Sequence, residues 1–292
     1  MSKIIIIFMI FMIAAANLSA QEGYIYFNRY DQNRNMEIWR IRPDGSSLEQ
    51  ITNQPGIECS PCTSPDGTIL YYIADYNKET AVYSHVLATG AVTRISPVYQ
   101  EIYDLSISRD GGKILLSGLD PKLPDNDFDI YLMNSDGSGV TRLIANPGPD
   151  TFPRLTPDGN SVVFQSERGA GYQIYLYSIQ TGKTTRLTSK SQCMAFSPCL
   201  TPDGKKILYG LYDRSATSGL YQMDLSGANS KLIYKYPAGE LCPTVSPDGR
   251  QAVVSILNET HRNQLFAVNL DGSSSRCFTA QDASYIFPYW SN

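Results

Sequence analysis

The sequence predicts an all-β fold, a six-bladed β-propeller with four antiparallel strands in each blade. Three observations lead to this prediction: one turn motif occurs five times, a second occurs six times, and both recur at intervals of about 45 residues. A repeat of this length accommodates one four-stranded propeller blade. The 292 residues, of which 42% are hydrophobic, suit a folded protein with a sizeable core.

The first motif is a tight turn of the form Ser/Thr-Pro-Asp-Gly. Proline fixes φ at the first corner, aspartate bonds the backbone beyond it, and glycine adopts the left-handed conformation that a side chain would resist. In one copy arginine replaces the proline. The copies are Ser64-Pro65-Asp66-Gly67, Ser108-Arg109-Asp110-Gly111, Thr156-Pro157-Asp158-Gly159, Thr201-Pro202-Asp203-Gly204 and Ser246-Pro247-Asp248-Gly249. Each turn should join the first two strands of a blade.

The second motif is an aliphatic residue followed by an aromatic one, with another glycine turn soon after. This pattern indicates the third strand of a blade and its turn into the fourth. The pairs are Ile38-Trp39, Val82-Tyr83, Ile130-Tyr131, Ile174-Tyr175, Leu220-Tyr221 and Leu265-Phe266. The turn glycines are Gly45, Gly90, Gly137, Gly182, Gly227 and Gly272.

Five copies of the first turn against six of the second indicate how the ring closes. The segment from Tyr24 to Phe27 matches a second strand, and the segment from Phe287 to Ser291 matches a first strand. We therefore expect the C-terminal strand to pair with the N-terminal strands, which would complete one blade from both ends of the chain. Such closure protects both termini and leaves no open innermost edge.

The first 20 residues are typical of a signal peptide. Lys3 provides the positive start, Ile4 to Ile13 is an apolar run, and small residues lead to a cleavage position near Ala20. The sequence thus predicts a signal peptide at 1–20 and a single propeller domain at 21–292. We expect a periplasmic or secreted protein with no membrane span after the signal is removed.

Composition excludes several classes of function. The chain has 24 basic and 28 acidic residues and no basic run, so nucleic acid is not expected as a partner. Its only histidines, His85 and His261, fall in blades that are not neighbours, which argues against a histidine-built metal site. The acidic segment Asp125 to Asp129 leaves calcium open as a cofactor, and we otherwise expect none. No Gly-x-Ser-x-Gly nucleophile motif occurs, which favours a protein that is not an enzyme.

The combined repeat resembles a known family. The Pro-Asp-Gly turn, the Ile-Tyr pair, the second glycine turn and a segment such as Thr185-Arg186-Leu187-Thr188 are similar to the propeller repeats of TolB, from the Tol-Pal envelope system. The resemblance covers residues 24–292 and implies a six-bladed, periplasmic propeller that binds an envelope protein. TolB also has an N-terminal α/β domain, for which this sequence shows no counterpart between Gln21 and Gly23.

Both turn motifs should lie on one face of the ring, here called the turn face. The longer connections then share the opposite face, the long-loop face, where binding residues are expected. We predict that a set of aromatic and charged residues there binds a protein or peptide. Its members are Tyr99, Glu101, Tyr103, Asp104, Phe152, Arg154, Phe196, Tyr236, Glu240, Tyr285 and Phe287.

Two alternatives remain open for these residues. Several rings would simply pack between blades at the start of each first strand. The second alternative concerns the function: the protein would bind or cleave a glycan, with Glu101, Asp104 and Glu240 as acid and base. We expect a monomer under either function.

The first strand of each blade should line a central channel. The residues expected to face it are Cys62, Ser106, Arg154, Cys199, Thr244 and Tyr289. Arg154 would hold an anion or a partner's carboxylate, or else bond backbone carbonyls and water. Cys199 and Cys242 lie on adjacent innermost strands and form the candidate disulfide, with free buried thiols as the alternative.

Overall fold

A computed structural model describes residues 23–30, 35–124, 127–169, 171–188, 193–213, 218–236, 242–280 and 283–291. Every regular element in these ranges is a β-strand, as the sequence predicts. They contain no helix with the length and apolar character needed to cross a bilayer. The predicted signal peptide, residues 1–20, lies outside the described ranges.

The chain forms short strands, most of them four to eight residues long. They are β1 (Ile25–Tyr30), β2 (Met36–Ile41), β3 (Glu49–Gln50), β4 (Ile57–Thr63), β5 (Ile69–Tyr76), β6 (Glu79–Val86), β7 (Ala91–Arg94), β8 (Glu101–Ile107), β9 (Lys113–Leu119), β10 (Asp129–Asn134), β11 (Thr141–Ile144), β12 (Asp150–Leu155), β13 (Ser161–Ser166), β14 (Gln173–Ser178), β15 (Thr184–Arg186), β16 (Cys193–Leu200), β17 (Lys206–Asp213), β18 (Gly219–Asp224), β19 (Lys231–Lys235), β20 (Thr244–Val245), β21 (Gln251–Leu257), β22 (Asn263–Asn269), β23 (Ser275–Cys277) and β24 (Ile286–Trp290).

Antiparallel pairing groups these strands into sets of four. Set 1 is β24 with β1 to β3, set 2 is β4 to β7, set 3 is β8 to β11, set 4 is β12 to β15, set 5 is β16 to β19 and set 6 is β20 to β23. Within the described ranges the hydrogen-bonded sheets number five rather than the expected six. Sets 1 and 2 form one eight-stranded sheet, because β2 and β4 approach closely enough for a single parallel pair between Met36 and Ile57.

The repeated turns adopt the geometry that the first motif predicts. In set 2, the Gly67 amide donates to the Ser64 carbonyl at 2.8 Å, and the Ser64 hydroxyl donates to the Asp66 carboxylate at 2.5 Å. The same carboxylate accepts the Thr68 amide at 3.1 Å. Gly67 has a φ of 69°, in the left-handed region where glycine is favoured. Local chemistry therefore fixes the hairpin between the first two strands.

The two ends of the chain meet in set 1, as predicted. β24 pairs antiparallel with β1, with Ile25 opposite Trp290 and Tyr26 opposite Tyr289. Beyond the ladder, the Ser291 amide donates to the Tyr24 carbonyl at 2.9 Å, and the Ser291 hydroxyl oxygen accepts the Tyr24 amide at 2.9 Å. The C-terminal strand thus supplies the innermost strand of a set whose other members are N-terminal.

The innermost strands of the sets follow one another around an axis. β24, β4, β8, β12, β16 and β20 contact in that order, and β20 contacts β24 again. The core lies between neighbouring sets instead of in one central layer. For example, Ile25 and Phe27 of set 1 pack with Val253 and Leu265 of set 6. Each interface buries apolar residues from two sets, so neighbouring sets stabilise one another.

Removing the closing strand should abolish the fold. Deletion of residues 286–292 leaves one edge of β1 unpaired and exposes the apolar face that Trp290 covers, so we expect loss of the cooperative unfolding transition. Ser291→Ala removes only the side-chain bonds to Tyr24 and should lower the unfolding free energy by about 1 kcal/mol. Thermal unfolding followed by circular dichroism compares the two. A truncated protein with the parent melting temperature would contradict a ring held shut by its ends.

Candidate functional site: the central channel

A cavity of about 360 Å³ lies on the axis, surrounded by the innermost strands of all six sets. The residues expected from the sequence to face the channel all line this cavity, which confirms that prediction. They are Cys62, Ser106, Arg154, Cys199, Thr244 and Tyr289. At the long-loop end the lining includes Phe152 and Phe287, and at the turn end it includes prolines of the first turn motif.

A bulge near the start of the innermost strands directs side chains into the cavity. In five sets the residue before a proline has a positive φ, between 34° and 52°. In sets 2, 4 and 5 the pairing register shifts at this point, as expected where an extra residue enters one strand of a ladder. Proline is tolerated because this strand borders the channel and needs no partner there. The residues with positive φ are Ser60, Phe152, Ser197, Cys242 and Phe287, and all five line the cavity.

Set 3 has Leu105 in place of the proline, and Asp104 precedes it at the position that the residues with positive φ hold in the other sets. The Asp104 carboxylate forms an ion pair with Arg154 of set 4, with 2.5 Å between Oδ2 and Nη1. Nη1 also donates to the carbonyl of Pro153 at 2.8 Å. Burial raises the pKa of Asp104, and the neighbouring guanidinium opposes that shift. The side chain of Arg154 is 24% exposed and that of Asp104 only 8%, so the pair presents its positive end to the cavity.

The candidate disulfide between Cys199 and Cys242 is not formed, and neither thiol is part of a disulfide bond. The bulge explains why. The Cys242 thiol lies 3.7 Å from the hydroxyl of Ser197, at the level of the bulge, whereas Cys199 is two residues further along its strand and its thiol contacts the carbonyl of Leu200. The two sulfurs therefore sit at different depths. Burial raises the pKa of the Cys199 thiol, which favours the neutral form.

Arg109 lies across the turn end of the channel. It occupies the position that proline holds in the other four copies of the first turn motif. Its Nη1 donates to the carbonyl of Pro202, which belongs to the turn of set 5, although Arg109 itself belongs to set 3. The long side chain thus spans from one turn to another beside the cavity. The turn end is correspondingly narrowed by a cation.

Comparison with known proteins identifies the family. Residues 121–292 match the TolB beta propeller domain family, PD40, over more than half of the chain. The chain belongs to this family. Over 149 residues it is 32% identical to a protein named TolB homolog from Chlorobium luteolum, covering 51% of this chain and 33% of that protein. Over 124 residues it is 32% identical to the Tol-Pal system protein TolB of Bordetella pertussis, covering 42% of this chain and 27% of that protein.

Solved structures support the propeller fold. TolB from Acinetobacter baumannii superposes with a TM-score of 0.82 at 24% identity, covering 92% of this chain and 66% of that one. An oligogalacturonate lyase in complex with manganese gives a TM-score of 0.66 at 14% identity, covering 89% and 79% of the two chains. At these identities the likeness concerns the fold alone. The chain spans about a third or less of the length of the Chlorobium luteolum and Bordetella pertussis proteins.

Most aromatic residues of the expected binding set are buried in this TolB-family chain. Tyr99 lies with its ring edge-on to Tyr131 at 5.2 Å and covers Gly118, and Phe196 covers Gly210 in the same way. Phe152, Tyr236 and Tyr285 are also buried. These rings are buried, as the packing alternative expects. Tyr99, Tyr236, Tyr285 and Phe152 contact residues of a neighbouring set, and in two cases a glycine in the second strand makes room for the ring.

The other expected binding residues have varied positions. Asp104, Phe152, Arg154 and Phe287 line the cavity, whereas Glu101 is exposed and is not part of its lining. Tyr103 is half-buried between Phe128 and Phe152. Glu240 lies outside the described residues. The structure therefore does not bring Glu101 and Asp104 together as an acid and base, since Asp104 is already paired with Arg154.

The described carboxylates of the acidic segment in set 3 are already engaged. Asp129 is buried and pairs with Arg142, and Asp127 accepts the amide of Gly148 at 2.6 Å. Asp125 and Asn126 lie outside the described ranges. Among the described residues there is no group of three or more His, Cys, Asp or Glu side chains arranged to hold a metal.

A set of exposed apolar residues at the long-loop face was missed by the sequence analysis. Five of the eight exposed large hydrophobic side chains in the described ranges belong to it. Four of them stand in the first two residues of a first strand or at the last residue of a second strand, and Val98 lies in the connection before β8. An apolar residue next to a long connection is the sequence signal that would have revealed them. The members, here called the apolar arc, are Tyr30, Ile57, Val98, Met194 and Leu257.

Replacing the glycines beneath the buried rings tests their packing. A Cβ at position 210 would lie 2.3 Å from the ring of Phe196, and one at position 118 would lie 2.7 Å from the ring of Tyr99. Gly210→Ala and Gly118→Ala should each lower the unfolding free energy by about 1 to 3 kcal/mol in urea denaturation. Gly169→Ala is the control, since no atom lies within 4 Å of its added Cβ. Equal stability of all three variants would mean that the rings turn out to solvent.

The Asp104–Arg154 pair can be tested by a double-mutant cycle. Asp104→Asn and Arg154→Met should each cost about 3 kcal/mol of unfolding free energy, and the double variant should cost less than their sum. In Arg154→Met the pKa of Asp104 should rise further, because the opposing charge is gone. A raised pKa in the folded state means that stability falls as pH rises from about 4 towards that pKa. Urea denaturation from pH 4.5 to 7.5 measures this, and parallel profiles for Arg154→Met and the double variant would contradict it.

Proposed function

We propose that this chain is an exported, six-bladed TolB-type propeller that is not an enzyme and binds a protein or peptide through its long-loop face. The apolar arc is the observation that carries this proposal. Five exposed apolar side chains on one face, four at strand ends and one in a connection, are typical of an interaction surface.

The count of six blades is supported by three features. Six sets of four strands occur, six innermost strands surround the cavity, and six copies of the second turn motif occur in the sequence. The single Met36 to Ile57 pair that merges sets 1 and 2 involves strand ends alone. Each of these two sets otherwise keeps its own antiparallel ladder, as blades of a propeller do.

Two features favour approach of the partner from the long-loop side. Arg109 lies across the turn end of the channel, and the apolar arc lies at the opposite end. The arc draws on sets 1, 2, 5 and 6, which are consecutive around the ring, and on the connection from set 2 to set 3. A partner that covers it would also cover the mouth of the channel.

The relatives suggest which partner to seek. Because one relative is named a Tol-Pal system protein, we propose a periplasmic monomer that binds an envelope protein of a Tol-Pal-type system without a cofactor. The glycan alternative has less support, because Asp104 is held by Arg154 and Glu101 is not among the residues lining the cavity.

Substitution of the apolar arc tests the proposal. Ile57→Ser, Val98→Ser, Met194→Ser and Leu257→Ser combined should reduce capture of the partner from envelope extract at least about tenfold, because each loses apolar contact worth roughly 1 kcal/mol. Quantitative mass spectrometry of affinity-captured proteins provides the measurement.

The matched control replaces exposed apolar residues elsewhere. Leu48→Ser, Val92→Ser and Leu232→Ser combined should leave capture unchanged, because these residues lie on or beside the outermost strands. Equal capture by both combined variants would contradict the assignment of the face. Turnover of a polysaccharide fragment by the purified protein would favour the glycan alternative instead.

A further inference from the structure

We propose that the centre of the channel is a subsite for a single carboxylate group, received by the guanidinium of Arg154 and carried by a peptide inserted from the long-loop face. The peptide and its direction rest on the proposed function. The recognition of a carboxylate rests on the geometry of the channel itself.

The hydrogen bonding of Arg154 leaves one edge of its guanidinium available. Nη1 serves both acceptors found in the described part of the chain, the carboxylate of Asp104 and the carbonyl of Pro153. Nε and Nη2 have no acceptor among the described residues. These two nitrogens form the edge that binds a carboxylate in the bidentate, two-bond arrangement.

The charge of the ion pair is oriented. The exposed fraction of the Arg154 side chain is three times that of the Asp104 side chain, and both residues line the cavity. Arg154 also acts electrostatically on the thiols of Cys62 and Cys199, which come from sets 2 and 5. The positive charge of the guanidinium therefore acts on thiols of two different sets within the channel. An approaching group meets the positive end of the pair first.

The charges of the cavity lining limit the ligand to one carboxylate group. The charged residues lining the cavity are Asp104, Arg109 and Arg154, and Arg109 lies at the turn end with its own acceptor in Pro202. The remaining polar residues of the lining, such as Ser197 and Thr244, are neutral. A volume of about 360 Å³ suits a side chain or a chain end and is at the small end of the usual range for ligand pockets.

The cysteines of the chain provide a readout that needs no partner. Cys62 and Cys199 line the channel, whereas Cys277 is exposed on the outer strand β23 and serves as an internal reference. Two methanethiosulfonate reagents of similar size, one with a sulfonate and one with a trimethylammonium group, are allowed to react with the protein. Mass spectrometry of the digested protein gives the rate at each cysteine. The ratio of anionic to cationic rates, relative to Cys277, measures the field in the channel.

Three proteins are compared. Asp104→Asn with Arg154→Met combined leaves no charge at the pair and avoids a lone buried one. The ratio at Cys199 should be at least about threefold higher in the parent than in this double variant. Asp104→Asn alone should raise the ratio further, because the opposing charge is removed. Equal ratios in the parent and the double variant would overturn the proposal, since Asp104 would then neutralise Arg154 completely.

Protection of Cys199 from a neutral thiol reagent identifies the source of the carboxylate. The probes are acetyl-Gly-Glu-Gly amide, with a side-chain carboxylate, acetyl-Gly-Gly-Gly, with a terminal one, and acetyl-Gly-Gln-Gly amide, with none. Protection by either of the first two at millimolar concentration, but not by the third, supports the subsite and tells which carboxylate fits. Protection by none of the three peptides, or equal protection by all three, overturns it. Loss of partner capture in the apolar-arc variant is a separate result, so the two proposals fail independently.

Discussion

The fold depends on the constraint that six short strands must surround one axis and that the chain must meet its own beginning. The pairing of β24 with β1 satisfies this constraint. Each set buries its apolar faces against two neighbours, so the core is a series of interfaces around the ring. An open ring would expose two of those faces together. Closure by distant parts of the chain therefore contributes to the stability of every set.

The same constraint shapes the channel. Innermost strands border the axis on one side and need no hydrogen-bonded partner there, which allows prolines and bulges that an interior strand would exclude. The bulges bring residues such as Ser197 and Cys242 into the lining. In set 3, where Leu105 replaces the proline, the preceding residue is Asp104, which pairs with Arg154 of the next set. A departure from the repeat thus produced the one ion pair of the described lining, and another departure, Arg109, narrowed the turn end.

Much of the fold was predictable because it follows from local chemistry repeated in phase. The Pro-Asp-Gly turns, the pairing of both chain ends and the residues that face the channel follow from short-range preferences and a regular period. The site was less predictable. Tyr99 and Phe196 are aromatic residues of the kind found in binding surfaces, but their rings fill the space above Gly118 and Gly210. Whether such a ring packs inward depends on the space left on the facing strand, here by a glycine, and the repeat pattern does not reveal that space.

The sequence by itself determined the repeat, its turns and its closure, because glycine, proline and aspartate restrict the backbone within a few residues. Tertiary structure alone decided which side chains are free to act. The pairing of Asp104 with Arg154, the separation of the Cys199 and Cys242 thiols and the exposure of Ile57 and Met194 depend on how neighbouring sets approach one another. These features depend on residues of different sets, and the periodicity of one repeat carries no information about them.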